Sequence, residues 1–167
     1  MLEIRRAQAA DAQMLLDFLR VVGSESDNLS FGAEGVSFTA EQEAAFLESL
    51  LHSDKNLILV AVEDGEILGN ASLSAFSKPR LCHRGEISVA VKKSAWGRGL
   101  GSRLMAEAIS FARQIARLEI LTLEVRSDNA RAIALYQKFG FEKTGAFPGF
   151  IKIGGRMIDF DLMLLRL

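Results

Sequence analysis

Cysteine is nearly absent from this 167-residue chain: Cys82 is the single one, so no internal disulfide can form. Histidine is as scarce. His52 and His83 stand in no cluster of soft ligands at zinc spacing, and no structural or catalytic metal is expected. Long apolar runs are missing too, the longest covering residues 57–62, far short of the ~20 residues that cross a bilayer. The N-terminus Met1-Leu2-Glu3-Ile4-Arg5 lacks a signal-peptide plan, which points to a cytoplasmic protein without membrane partners. No excess of either charge appears, since 20 Lys and Arg meet 21 Asp and Glu for a net charge of −1. A nucleic-acid-binding surface is therefore not expected. What is present is apolar content of 49% in a chain of a size that one domain accommodates, and a single domain over residues 1–167 is predicted.

Residues 2–7 read as a first strand, and Asp11 is placed to cap a helix bearing Met14, Leu15, Phe18, Leu19 and Val22 at helical spacing. Residues 23–38 have no period and form a loop. Thr39 and Gln42 then match a capping box for a helix reaching His52. Two apolar runs, 56–63 and 66–76, flank Asp64-Gly65, a dipeptide suited to a tight hairpin. Strand 86–91 alternates Ile87, Val89 and Val91 with Glu86, Ser88 and Ala90, and leads through a glycine-rich turn into a helix carrying Leu104, Ala108, Phe111 and Ile115. Next come a strand at 118–125, a helix capped by Ser127 or Asp128 and ended by Gly140, and strands at 141–146, 150–153 and 156–165, with Gly154-Gly155 as a turn.

Residues 95–102 spell A-W-G-R-G-L-G-S. Glycine lets a ligand approach the backbone, and the helix N-terminus that follows offers amide N–H groups without internal partners, so the turn can cradle a pyrophosphate. Lys92, Lys93, Arg98 and Arg103 surround it with positive charge. Ser102 stands where a Walker loop needs Lys and where a dinucleotide fingerprint needs its last Gly, so both patterns fail. A turn that only permits close packing is the plainer reading of the glycines alone.

The segment I-S-V-A-V-K-K-S-A-W-G-R-G-L-G-S-R-L-M, with L-T-L-E-V-R-S-D-N-A-R-A-I-A-L-Y-Q-K-F-G-F after it, resembles the two central motifs of the GNAT superfamily of acetyl-CoA-dependent N-acetyltransferases. Its Q/R-x-x-G-x-G/A loop matches Trp96, Gly97, Arg98, Gly99, Leu100 and Gly101, with Trp96 where Gln or Arg is usual. Its N-x-x-A-x-x-x-Y-x-x-x-G-F segment matches Asn129, Ala132, Tyr136, Gly140 and Phe141. The resemblance implies an α/β (α+β) domain: a mixed, mostly antiparallel sheet of six to seven strands, flanked by four helices and splayed between strands 4 and 5.

It also implies that acetyl-CoA is the cosubstrate and that its arm lies in the splay against the backbone of Val89, Ala90 and Val91. Its phosphates would meet residues 96–102, Ser102 included, while Asn129 and Ala132 face the arm. For Asn129 the competing role is a helix cap. Tyr136, the sole tyrosine, is the candidate general acid for the departing thiolate, with a core aromatic as the alternative. Glu86 is the candidate base, by resemblance to a carboxylate that several GNAT enzymes use; His83 and a water chain stay open. Strand alternation points His83 away from Glu86 and separates it from Cys82, and His52 is more simply a helix-terminal charge. A backbone N–H near Val89 or Ala90 would meet the oxyanion.

The acceptor is expected to be a primary amine on a small molecule or a protein N-terminus, drawn in by Glu25, Asp27, Glu34, Asp159 and Asp161 if these are more than solvated surface acids. A silent acyl-CoA-binding sensor is the rival function, and the family likeness leaves a homodimer open.

Overall fold

The computed structural model describes residues 1–167. Seven strands, β1 (Glu3–Arg6), β2 (Asn56–Glu63), β3 (Glu66–Ala75), β4 (Arg84–Val91), β5 (Ile120–Arg126), β6 (Glu142–Ile153) and β7 (Arg156–Arg166), form one sheet in the order β1-β2-β3-β4-β5-β7-β6. Every neighbouring pair is antiparallel except β4 and β5. Helices α1 (Ala12–Glu25) and α2 (Ala40–Leu51) pack on one face, around Leu15, Phe18, Leu47, Val60 and Ile67. Helices α3 (Leu100–Gln114) and α4 (Ala130–Lys138) belong to the larger core on the other face, with Ile87, Leu104, Leu121, Leu123 and Met163. This is the mixed, helix-flanked sheet that the motifs imply. No helix is long and apolar enough to cross a membrane.

Local chemistry explains several boundaries. Thr39 and Gln42 close the capping box that starts α2: the Gln42 N–H donates to the Thr39 hydroxyl (3.2 Å) and the Thr39 N–H to the Gln42 side chain (2.9 Å). Asp64-Gly65 and Gly154-Gly155 adopt the positive φ pairs of tight hairpins between β2 and β3 and between β6 and β7.

Other boundaries differ from the sequence reading. Asp11 precedes α1 without capping it, because its carboxylate accepts two hydrogen bonds from Arg5 (2.7 and 2.8 Å) and one from the Gln8 N–H. The cap of α4 is Asn129, not Ser127 or Asp128. Ser127 instead donates to Asp161, and Asp128 is held by Arg126. The segment expected as two strands, 141–146 and 150–153, is one strand, β6, carried across a register shift between Phe147 and Ile151 by its pairing with β7.

Candidate active site

The parallel contact of β4 with β5 is short: Arg84, Gly85 and Glu86 pair with Ile120, Leu121 and Thr122, and the register ends there. Beyond that point a cavity of about 480 Å³ opens between β4 and the β5–α4 side, its lining completed by the C-terminal end of α1 and by Asn28 and Leu29. The lining includes Val89, Ala90, Val91, Trp96, Gly97, Gly99, Leu100, Gly101, Ser102, Asn129, Ala132 and Tyr136, so one space gathers most of the residues singled out by sequence. Arg98 and Glu86 lie outside that lining.

At one end is the glycine turn. Gly97 (φ +79°) and Gly99 (φ +77°) occupy the left-handed region, and a Cβ on either would meet no protein atom within 4 Å. Their backbone conformation, not internal packing, requires glycine. Gly101 differs, since its Cβ would crowd Leu135 at 3.3 Å; it lets α3 approach α4. None of the amide N–H groups of residues 97–102 finds an acceptor within the protein. A row of unpartnered donors at the N-terminus of a 15-residue helix suits an anion with several oxygens.

The expected ring of cations is thinner than it looked. Arg98 forms a two-pronged pair with Glu63 (2.9 and 2.8 Å), and Lys92 pairs with Glu66. Lys93 and Arg103 make no ion pair. The Lys93 N–H donates to Glu25 (2.7 Å), tying the end of α1 to the turn.

Along the wall, the carbonyl of Val91 accepts the indole N–H of Trp96 (2.8 Å), which leaves one of its two lone pairs for a ligand. Asn129 does serve as a cap: its Oδ1 accepts the Ala132 N–H at 3.2 Å, while its side-chain NH₂ has no partner and the residue still lines the cavity.

Tyr136, a buried residue of α4, also lines the cavity. Its ring packs edge-on against Phe141 at 6.0 Å, and its hydroxyl makes no hydrogen bond within the protein, yet is not sealed from solvent or cavity. Burial of the ring pushes the phenol pKa up to about 12, so it keeps its proton throughout the neutral range.

On the sheet face bearing α1 and α2, strand alternation brings Glu86, Ser88 and Glu124 together, opposite to Ile87, Leu123 and Val125. Ser88 and Glu124 line the cavity, and the Ser88 hydroxyl is 2.7 Å from that of Ser72. Glu124 was not identified from sequence. Desolvation by the cavity walls, with the charge of Glu86 added, holds its pKa above the ordinary carboxylate range although the residue is exposed to the open cavity. An isolated acid in the apolar strand L-T-L-E-V was the available signal. His83 precedes β4 on the other parity, its carbonyl accepting from Glu119 and Ile120, and Cys82 is exposed outside the cavity.

Of the acids thought to attract an amine, Glu25 alone reaches the lining. Asp161 is buried and bonded to Ser127 (2.7 Å) and Lys143 (2.9 Å), which lower its pKa, Asp159 accepts from the Gly149 N–H, and Glu34 accepts from the Gly32 N–H.

The short parallel pair, the turn of free amides and the buried phenol thus meet at one cavity. The model of the acetyltransferase (GNAT) family matches residues 25–141, and the chain belongs to that family. Among curated relatives, the L-amino acid N-acetyltransferase AaaT of Escherichia coli is 33% identical over 101 residues, 60% of this chain. The match spans 62% of AaaT, under two thirds of its length. A GNAT-family acetyltransferase structure from Streptococcus pneumoniae superposes with a TM-score of 0.96 at 35% identity, covering 100% of both chains. The yncA structure from Salmonella typhimurium, solved with its cofactor acetyl-CoA, gives 0.85 at 25% identity over 99% of this chain and 94% of that one.

Proposed function

We propose that this protein, acting as one transferase domain over residues 1–167, moves the acetyl group of acetyl-CoA onto a primary amine by direct attack. The observation that carries the reading is one cavity lined both by the glycine turn, whose amides at residues 97–102 are unpartnered, and by Tyr136 and Glu124. The cradle fits the cofactor's phosphates, because its donors are free and glycine leaves no Cβ in the way. Bound acetyl-CoA supplies an acetyl thioester. Glu124, backed by Glu86, takes the proton that the ammonium form of the acceptor must lose before it attacks. Glu124 passes that first proton to solvent; as the new C–N bond forms and the C–S bond breaks, the attacking nitrogen gives its second proton to Glu124, Tyr136 gives its phenolic proton to the departing sulfur, and water returns a proton from Glu124 to Tyr136. Atoms and charge balance without a covalent enzyme intermediate.

A free L-amino acid is the first acceptor class to test, since AaaT acts on one and the cavity lining carries two carboxylates, Glu25 and Glu124, suited to an ammonium group. A reducing, cytoplasmic setting agrees with an exposed free thiol at Cys82.

The test is calorimetric titration with acetyl-CoA, followed by a panel of L-amino acids, other small amines and peptide N-termini assayed for released thiol. Micromolar binding with amine-dependent thiol release is expected. Binding without release across the panel assigns the chain an acyl-CoA-binding role instead, and no binding overturns the reading.

A further inference from the structure

Two side chains of the cavity lining, Trp96 and Arg131, meet from opposite sides of the splay. Trp96 stands between β4 and α3, and Arg131 in the first turn of α4, on the β5 side of the splay. The Arg131 guanidinium lies 4.3 Å from the centroid of the indole, and the indole is pinned from behind by its N–H bond to the Val91 carbonyl (2.8 Å). Both residues line the cavity beside the glycine turn. Unlike Arg98 and Lys92, Arg131 has neither a carboxylate partner nor a hydrogen bond. A guanidinium stacked on a ring keeps its in-plane N–H donors free, and its fork matches the oxygens of a phosphate. The stack therefore holds a preorganised cation where the amides of residues 97–102 open to the cavity.

We propose that Trp96 and Arg131 form a phosphate clasp for acyl-CoA, in which Arg131 donates to a cofactor phosphate and Trp96 is the positioning residue that holds the guanidinium in the cavity lining. The proposal rests on the acetyl-CoA reading above. The phosphate is either in the diphosphate or on the 3′ position of the ribose, and the two ligands below separate these.

Calorimetric titration of acetyl-CoA and of its 3′-dephospho form into wild type, R131Q, R131K, W96F and the W96F/R131Q double variant tests it. R131Q, on an exposed helix position, is expected to bind acetyl-CoA about tenfold more weakly, the size of one charge-assisted contact at an open site, and R131K to recover part of the loss. W96F weakens binding in the wild-type background and adds nothing once Arg131 is gone, as expected of a residue acting through its neighbour. An R131Q loss that vanishes with the dephospho ligand assigns the contact to the 3′-phosphate; a loss that persists assigns it to the diphosphate. Trp96 is the only tryptophan, so its emission supplies a second readout and must change on saturation with acetyl-CoA.

Wild-type affinity of R131Q for both ligands, while wild type binds normally, overturns the clasp and leaves the transferase reading standing. A W96F effect undiminished in the R131Q background overturns the positioning role of Trp96. Failure of wild type to bind acetyl-CoA overturns both readings.

Discussion

Replacing Tyr136 by Phe removes one oxygen and leaves the ring. The edge contact with Phe141 at 6.0 Å survives, and no intramolecular hydrogen bond is lost, so stability at neutral pH is expected to change by less than about 0.5 kcal/mol. The kinetic effect follows from the phenol's pKa of about 12. A thiolate of ordinary basicity has a conjugate acid near ~8.5, so full transfer from the phenol is uphill by roughly 3.5 units, or about 5 kcal/mol. The donor is thus a poor match unless the apolar walls of the cavity also raise the basicity of the departing sulfur. Its benefit accordingly sits toward the low end of the ~100- to 10,000-fold span of general acids, and a kcat loss of about 100-fold is expected. Thiol release at saturating amine reads this loss, and calorimetry shows whether acetyl-CoA affinity is retained. A Y136F kcat within about threefold of wild type, less than about 0.7 kcal/mol of barrier, would refute the acid role.

The same phenol predicts a pH effect on folding. Its pKa is raised from 10 to about 12 in the folded state, so its contribution is complete below pH 10 and is lost as pH climbs toward 12, by about 2–3 kcal/mol relative to Y136F in urea unfolding. Glu124→Gln should lower kcat/KM by about 100-fold, whereas Glu86→Gln leaves the desolvation that chiefly raises the Glu124 pKa but removes the charge that adds to it, and should move the acidic limb of the kcat/KM profile to lower pH; a limb that stays put would uncouple the pair. Gly99→Ala forces a Cβ into a φ of +77° with no clash inside the protein, costing about 1–2 kcal/mol of stability by thermal melting, while acetyl-CoA affinity falls further because the Cβ intrudes on the cradle. Asp11→Asn should destabilise by about 2 kcal/mol at pH 7 through its lost ion pair with Arg5. Its folded pKa is depressed, so the gap from wild type should be present above pH 3.8 and close as pH falls through the folded value; a gap that persists in strong acid would exclude the charge as its source.

Features legible in the sequence were those set by a few adjacent residues. The capping box at Thr39 and Gln42, the turns at Asp64-Gly65 and Gly154-Gly155, and the glycine turn at Gly97 and Gly99 each follow from local hydrogen bonding or from positive φ, and each appears in the structure. Alternation along β4 likewise separated Glu86 and Ser88 from Ile87.

Where several local partners competed, the surrounding structure chose. Asp11 could cap a helix or hold Arg5, and the neighbouring strand presents Arg5; Ser127 could cap α4 or bond Asp161, and β7 brings Asp161 to it. The two short strands expected near residues 141–153 became one, because β7 offers a continuous ladder that bridges the irregularity. Glu124 and Arg131 acquired their settings only through the packing of the β5–α4 side against β4 and its following turn. Distant segments must meet before one carboxylate can feel another or a guanidinium can stack on Trp96. The sequence by itself determined where the chain turns, where α2 is capped and where glycine takes up left-handed backbone, since these depend on backbone groups a few bonds apart. Tertiary structure decided which charges are already paired and which remain free to act, because that depends on contacts between segments far apart along the chain.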